Sequence, residues 1–381
     1  MFRVVWLLLA VVPVPCAADL VISGNDGKLD LTTGGQLVLP NPQPDSISLL
    51  DFATFPPQVT HVPGVSNSVL GPPTNVAITP DETLALVASS ARLVAGHPPR
   101  QVLDHTLRVV DLTVRPPKVV DCIRVGLQPS GLSVSRDGRT ALVANRGDGT
   151  VSVLSIRGRL VRQRQVLRVC EPKQEPCHVA MADDGTRAVV SIRNRHALRV
   201  LRCRDGVWEL EPGEVPVYLN PYRCAICPGG RTALVAGGTT GLNADAISVV
   251  DLAVTPPRTV DHVAVGSGIE SFALSPDGSL VAAVAMNGSN LPDGAPGRTD
   301  NGLLVLLARQ GDSLRRVQRM ALGRVPEGVT FTPDGRYLLV QEYVDRRIVV
   351  LPVLGARVGE PVLHIEVPGM PASIRGACGI D

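Results

Sequence analysis

The stretch PSGLSVSRDGRTALVANRGDGTVSVLSI, residues 129–156, decides the fold of this chain. It contains three short β-rich runs, and the turns between them carry the sequences RDG and RGDG. Apolar runs separated by tight, glycine-containing turns are typical of antiparallel hairpins. The stretch therefore predicts three consecutive antiparallel strands.

The first of these turns has counterparts along most of the chain, 45 to 57 residues apart. Each counterpart lies between two β-rich runs, and a third and a fourth run follow it. Four short antiparallel strands per repeat at this spacing are typical of the blades of a β-propeller. Six full repeats extend from about residue 73 to residue 369. Their turns are TPDET (79–83), SRDGR (135–139), ADDGT (182–186), CPGGR (227–231), SPDGS (275–279) and TPDGR (332–336).

The two ends of the chain supply the parts of a seventh blade. LVIS, SISLLDF and QVTHVPG near the N-terminus fit a second, third and fourth strand, and PASIRGA near the C-terminus fits the missing first strand. Pairing of the two ends would leave no open sheet edge in the ring. We therefore predict an all-β, seven-bladed β-propeller of four-stranded antiparallel blades. It forms a single domain over residues 19–381, whose seventh blade is shared between about 19–65 and 371–381.

Residues 1–18, MFRVVWLLLAVVPVPCAA, have the pattern of a secretory signal peptide: an early positive charge, an apolar run and small residues at the end. We expect cleavage after Ala18 and a periplasmic or secreted mature protein. Lipidation of Cys16 is disfavoured, because Pro15 stands where a small residue is usual. No later apolar run reaches the roughly 18 residues of a membrane span. The net charge of +2 gives no electrostatic reason to expect nucleic-acid binding.

The chain has eight cysteines, seven of them after Ala18. Cys170 and Cys177 flank the short polar loop EPKQEP and are the predicted disulfide pair in an oxidising compartment. Cys224 and Cys227 form a CxxC inside the apolar run RCAIC. A strand there would point the two thiols to opposite faces, which favours a structural use over a zinc site.

The unit VGLQPSGLSVSRDGRTALVANRGDGTVSVLSI, residues 125–156, resembles the bacterial surface-layer repeat named for the tetrapeptide YVTN. The resemblance extends over nearly the whole mature chain and implies a propeller fold. It leaves the function open, because similar exported propellers include binding proteins, lactonase-like enzymes and propeller subunits of periplasmic dehydrogenases. Two departures are Ala144, which replaces the threonine of the tetrapeptide, and the CPGGR turn, which lacks the aspartate.

Loop lengths distinguish the two faces of the predicted ring. The short turns between first and second strands lie on one face, which we call the lower face, and the loops between second and third strands lie on the opposite, upper face. Long loops on a compact scaffold are usually functional. The upper face is therefore the expected binding face. Its long loops are 25–45, 91–105, 237–246 and 287–302.

The first strands also start on the upper face, so their first residues should surround the mouth of the axial channel. A base, guanidinium groups and carboxylates in one mouth suit an acid/base site or a pocket for an acidic ligand. Three interpretations stay open: ion pairing among these groups, binding of a ligand with Arg223 as donor, and catalysis with His178 or a carboxylate as proton shuttle. The candidate side chains are Arg146, His178, Arg193, Arg223, Glu270 and Glu327.

We predict that the protein is a binding or interaction scaffold for a small polar or anionic ligand or an exported partner protein. One alternative is a lactonase- or cycloisomerase-like enzyme with its acid/base site at the channel mouth. Another is the propeller subunit of a periplasmic redox complex. No CxxCH, HExxH, GxSxG or GxxxxGK[ST] motif is present. We expect no cofactor, and the only metal considered is Ca²⁺ in loop 287–302, at Asp293 and Asp300.

Overall fold

The predicted architecture is confirmed: the strands form seven antiparallel blades. The computed structural model describes residues 18–67, 70–96, 99–238, 243–377 and 379–380. The predicted signal peptide, except for Ala18, lies outside these ranges, as does Cys378. Within them the only helical elements are the 3₁₀ turns Pro172–Gln174 and Arg193–Arg195, and no helix there is long and apolar enough to cross a membrane.

Blades are numbered from the N-terminus, and the strands of each blade are given from the channel outward. The strands of blade 1 are Met370–Gly376, Leu20–Asp26, Ser46–Asp51 and Gln58–Pro63. Those of blade 2 are Val76–Ile78, Leu84–Val94, Arg100–Asp111 and Lys118–Arg124. Those of blade 3 are Pro129–Val134, Thr140–Asn145, Thr150–Arg157 and Leu160–Arg168. Those of blade 4 are Pro176–Met181, Arg187–Ile192, Ala197–Arg204 and Val207–Leu210, and Val215–Pro216 also pairs with the third strand.

The remaining blades follow the same order. The strands of blade 5 are Pro221–Ile226, Thr232–Gly237, Asp245–Asp251 and Arg258–Gly266. Those of blade 6 are Ile269–Leu274, Leu280–Ala285, Gly302–Gln310 and Ser313–Leu322. Those of blade 7 are Pro326–Phe331, Tyr337–Glu342, Arg347–Leu354 and Arg357–Val358, and Leu363–Glu366 also pairs with the third strand. A separate hairpin, Leu29–Asp30 with Leu37–Val38, lies in the loop that follows the second strand of blade 1.

Each interface between neighbouring blades is filled by its own apolar cluster. Between blades 7 and 1, for example, Leu339 and Val350 pack with Val21, Leu50 and Ile374. Each sheet is therefore covered on both faces, which is why its strands are rich in Val, Leu and Ala rather than strictly alternating. Repetition lets every blade bury apolar surface that it could not bury alone.

The two ends of the chain pair side by side in blade 1, as predicted. Val21 lies opposite Gly376 and Asp26 opposite Met370, with a bulge between Gly24 and Asn25. Ile374 is about 1% exposed and belongs to the cluster that joins blade 1 to blade 7. This pairing completes the sheet of blade 1 and covers the inner edge of its strand Leu20–Asp26.

The repeated turn on the lower face is stabilised by its own side chains. In the SRDGR turn, the Ser135 hydroxyl donates to Asp137 Oδ1 at 2.6 Å, and the same oxygen accepts the Arg139 N–H at 3.0 Å. The Ser135 hydroxyl oxygen also accepts the Thr140 N–H at 3.0 Å. Gly138 has φ of +68°, a conformation that favours glycine. The turn sequence recurs because these bonds replace backbone bonds that a tight hairpin leaves unmade.

The predicted Cys170–Cys177 disulfide is not formed in the structure, where both residues are buried free thiols. Cys170 packs in the apolar cluster between blades 3 and 4. The Cys177 thiol instead donates to the Glu175 carbonyl at 3.6 Å. The polar loop between the two cysteines contains the 3₁₀ turn Pro172–Gln174. The disulfide between these two cysteines therefore stays a prediction.

Candidate binding site at the channel mouth

A cavity of about 210 Å³ opens at the upper mouth of the channel. Its walls come from blades 4 to 7, and loop 25–45 and the loop that starts at residue 287 cover one side. Charged and aromatic side chains from consecutive blades face one another across it. The lining residues discussed below are Arg193, Asn220, Tyr222, Gly238, Glu270, Asn290 and Glu327.

The two glutamates enter the cavity from equivalent positions. Glu270 and Glu327 each follow the first residue of an inner strand, at the start of blades 6 and 7. The pairing register shifts just there, between Ile269 and Ser271 and between Pro326 and Val329. A bulge of this kind redirects the side chain at the end of a strand. The carboxyl groups consequently face the channel mouth instead of an interface between blades.

Both carboxyl groups are shifted towards the protonated form. Burial raises the pKa of Glu270 to about 7, with Arg193 opposing and Asp245 reinforcing the rise. Burial raises the pKa of Glu327 well above its usual range, and the charges of Glu270 and Asp26 add to the effect. Glu327 is about 2% exposed, and its Oε1 has no hydrogen-bond partner. Near neutral pH Glu270 therefore titrates, and Glu327 is shifted further towards its protonated form.

The opposite wall is cationic and aromatic. The Arg193 guanidinium lies 5.8 Å from the centre of the Tyr222 ring, within the range of a cation–π contact. Arg146 lies beside this wall, and its Nε and Nη2 both donate to Glu175 Oε2, at 2.9 and 2.5 Å. Arg193 also lines the cavity, and its charge lowers the pKa of Glu270. The cavity is therefore polarised, with a guanidinium on one side and carboxyl groups on the other.

A buried ion-pair cluster holds loop 25–45 against the mouth. Lys28 Nζ lies 2.7 Å from Asp26 Oδ1, also bonds Asp45, and donates to the Asn67 carbonyl at 3.0 Å. The Tyr343 hydroxyl donates to the Leu29 carbonyl at 2.8 Å. Because these groups are buried and mutually paired, this wall of the cavity is preorganised.

The structure brings Arg193, Glu270 and Glu327 together, but it separates His178 and Arg223 from them. His178 and Arg223 are one residue further along their strands than the glutamates. Arg223 lines a second, smaller cavity beside Pro276 and Pro333, which belong to turns of the lower face. The six predicted residues therefore belong to two levels of the channel.

Two of the four long loops meet at the mouth as expected. The Gly34 N–H donates to the Asn290 carbonyl at 3.0 Å, which joins loop 25–45 to loop 287–302. Loop 91–105 is mostly an extension of the second and third strands of blade 2, and its residues 97–98 lie outside the described ranges. Residues 239–242 of loop 237–246 also lie outside the described ranges, and Gly238 of this loop lines the cavity.

The carboxylates considered for Ca²⁺ are already paired in this structure. Arg298 lies between Asp293 and Asp300, at 2.8 and 2.5 Å. Over the ranges that the structure describes, no three His, Cys, Asp or Glu side chains converge as metal ligands. Binding of Ca²⁺ in this loop stays a prediction.

Tyr222 and Asn220 line the cavity but are absent from the sequence-based candidates. A signal for Tyr222 does exist in the sequence. Counting six residues back from the second residue of each lower-face turn gives Glu270 and Glu327 in blades 6 and 7, and Tyr222 and Cys177 in blades 5 and 4. The equivalent residues of those two blades are thus Tyr222 and Cys177, rather than Arg223 and His178.

Comparison with known proteins supports the fold and leaves the chemistry open. No protein-family model matches the chain, and no curated protein sequence matches it. Among solved structures, the periplasmic gluconolactonase PpgL of Pseudomonas aeruginosa is similar, with 20% identity over 95% of this chain and 99% of that one and a TM-score of 0.65. A putative 6-phosphogluconolactonase from Bacteroides uniformis is also similar, with 16% identity over 94% of this chain and 99% of that one and a TM-score of 0.66.

A redox protein is among the structural neighbours as well. The dihydro-heme d1 dehydrogenase NirN has 19% identity over 95% of this chain and 75% of that one, with a TM-score of 0.58. Identities this low establish a shared fold only. Membership of the YVTN family stays a prediction.

Proposed function

We propose that this protein binds a small hydroxylated carboxylate in the cavity at the channel mouth. The observation that carries the proposal is the polarised cavity itself, with Arg193 opposite Glu270 and the unpartnered Glu327 Oε1. A guanidinium pairs with a carboxylate in a bidentate manner, and neutral or ionised carboxyl groups bond hydroxyls. The volume of about 210 Å³ suits a ligand of roughly monosaccharide size.

Replacing Arg193 is expected to weaken binding about 10- to 100-fold, the usual cost of losing a charge-assisted bidentate contact. The measurement is a thermal-shift screen of hydroxylated monocarboxylates from glycerate to gluconate, followed by calorimetric titration of any ligand found. R195M is the matched control, because Arg195 lies in the same 3₁₀ turn but pairs with Glu214 at 2.9 Å. Equal affinities for R193M and R195M, or no shift with any acid, would contradict the proposal.

A second candidate function is lactone hydrolysis, and the pKa of Glu270 favours it. A carboxyl group that titrates near pH 7 inside a cavity is suited to general-base chemistry. Ionised Glu270 would accept a proton from the water that attacks the lactone carbonyl, while Arg193 stabilises the oxyanion. Cleavage of the ring C–O bond would then return that proton to the leaving alkoxide, giving the hydroxy acid. The lactonase-like structural neighbours are consistent with this reaction class.

If the protein is a lactonase, E270Q is expected to lose at least about 100-fold in kcat, the usual contribution of a general base. The assay is pH-stat titration of acid release from aldonolactones. E366Q serves as control, because Glu366 is exposed on the outside of blade 7. If the parent protein shows no turnover but still binds acids, the lactonase function is contradicted and only the binding function remains.

We also propose that the protein is exported. The signal-peptide pattern of residues 1–18 supports export, and one of the structural neighbours is a periplasmic gluconolactonase. Finding residues 1–18 on the protein isolated from its native host would contradict this.

A further inference from the structure

The lower-face turn of blade 2 differs from the other five repeated turns at its fourth residue. That residue is Glu82, whereas the other five turns have glycine there. Glu82 has φ of +54°, and the five glycines have φ between +67° and +72°. The Glu82 N–H donates to the Thr79 carbonyl at 2.8 Å, just as the Gly138 N–H donates to the Ser135 carbonyl at 2.8 Å. The turn therefore keeps its shape with a residue that the left-handed conformation disfavours, which suggests that the Glu82 side chain has a use of its own.

The Glu82 carboxylate holds the start of the N-terminal strand. Its Oε1 accepts the backbone N–H groups of Asp19 and Leu20, at 2.8 and 2.7 Å. The carbonyls of the same two residues accept the N–H groups of Phe52, at 3.0 Å, and of Ala377, at 2.8 Å. The backbone of Asp19 and Leu20 is thus fixed by blade 2, by the third strand of blade 1 and by the end of the closing strand. Asp19 is also the residue that follows the predicted cleavage site.

The surroundings of Glu82 disfavour a negative charge on its carboxyl group. Burial raises the pKa of Glu82, the bonds from the two backbone N–H groups oppose this rise, and the charges of Asp19 and Asp51 add to it. The donors that Glu82 has from Asp19 and Leu20 are neutral amides. A positive charge on the Asp19 nitrogen would offset the burial and the repulsion together, since charge-assisted hydrogen bonds are stronger than neutral ones.

We propose that Glu82 is the binding site for the α-ammonium group that cleavage after Ala18 leaves on Asp19, an inference that rests on the proposed export of the protein. Hydrolysis of the Ala18–Asp19 peptide bond consumes one water. The Ala18 carbonyl carbon takes the hydroxyl group and the Asp19 nitrogen takes a hydrogen. The proton of the new carboxylic acid then passes to the amine, which gives a carboxylate on the removed peptide and an ammonium on Asp19.

This cleavage changes the contact without moving the strand. The Asp19 nitrogen already lies 2.8 Å from Glu82 Oε1, so a neutral hydrogen bond becomes an ion pair. Of the described residues, cleavage removes only Ala18, whose methyl group packs in the apolar cluster between blades 1 and 2. Maturation would therefore strengthen the junction at which the two ends of the chain meet.

The rate of acetylation of the α-amine measures this pairing, because only the unprotonated amine reacts. A free α-amino group has a pKa of about 8, and a paired one loses its proton less readily. The protein isolated from its native host is treated with limiting acetic anhydride at pH 7, and mass spectrometry of the N-terminal peptide gives the rate. E82Q is expected to react about 10-fold faster than the parent, which corresponds to one pKa unit. E366Q should react like the parent, because Glu366 is exposed on the outside of blade 7.

E82G is the second variant, and it keeps the test decisive if E82Q does not fold. It restores the residue of the other five turns, so it removes the side chain without disturbing the turn. We expect E82G to react as fast as E82Q. Rates equal to that of the parent in both Glu82 variants would overturn the proposal and leave export standing, and so would a mature chain that starts at a residue other than Asp19. A chain isolated with residues 1–18 in place would contradict export as well.

Discussion

Deletion of residues 371–381 is expected to unfold the protein or to convert it into an aggregating, partly folded form. The deletion removes most of the inner strand of blade 1 and exposes an edge on its second strand, Leu20–Asp26. It also removes Ile374 from the last blade interface, and the loss of one buried isoleucine alone costs about 2–5 kcal/mol. The total loss is comparable with the 5–15 kcal/mol that typically stabilises a domain. Circular dichroism measures whether the truncated protein is folded, and the midpoint of urea unfolding measures the loss of stability.

The control for this deletion restores the same strand from the other end. The Ala377 N–H donates to the Leu20 carbonyl at 2.8 Å, so the end of the closing strand lies beside the start of the next one. A variant with residues 370–377 placed ahead of residue 18 through a short turn keeps the order of strands in the sheet. We expect this variant to recover most of the lost stability. If the truncated protein melts like the parent, the closing strand contributes nothing to the ring.

The sequence determined the architecture through patterns that are local and repeated. Each lower-face turn has its own set of side-chain bonds, as at Ser135 and Asp137, and four strands follow at a regular spacing. Closure of the ring could also be predicted, because the terminal pieces were exactly those that one blade lacked. The blade interfaces need only apolar side chains on both faces of each sheet, and composition supplies these.

The site was predicted less completely, because it depends on side-chain direction at the first residues of the inner strands. One residue of register moves a side chain from the mouth into the channel, and bulges there interrupt simple alternation. Glu270 and Glu327 were assigned to the correct level, whereas His178 and Arg223 were assigned one residue too high. Arg375 was not considered, since nothing local in the sequence marks a channel residue near the end of a closing strand.

The titration of Glu270 has a measurable effect on stability, separate from any effect on activity. Burial raises its pKa to about 7 in the folded protein, against about 4.5 in the unfolded chain, with Arg193 opposing and Asp245 adding to the shift. Between these two values the folded state binds more protons than the unfolded state. The free energy of unfolding therefore falls as the pH rises from about 4.5 to about 7, and this contribution is constant above that range.

E270Q has no ionisable group at this position, so its free energy of unfolding does not fall over this pH range. We expect E270Q and the parent to have similar free energies of unfolding at pH 5, and E270Q to be about 2–3 kcal/mol more stable at pH 8. One pKa unit corresponds to about 1.36 kcal/mol, and water in the open cavity reduces the full shift. Urea unfolding at four pH values measures the difference, with E366Q as the exposed control for removing a negative charge. If the free energies of unfolding of E270Q and the parent change in parallel from pH 5 to pH 8, Glu270 is solvated like a surface carboxylate. The carboxyl side of the proposed polarised cavity would then be contradicted.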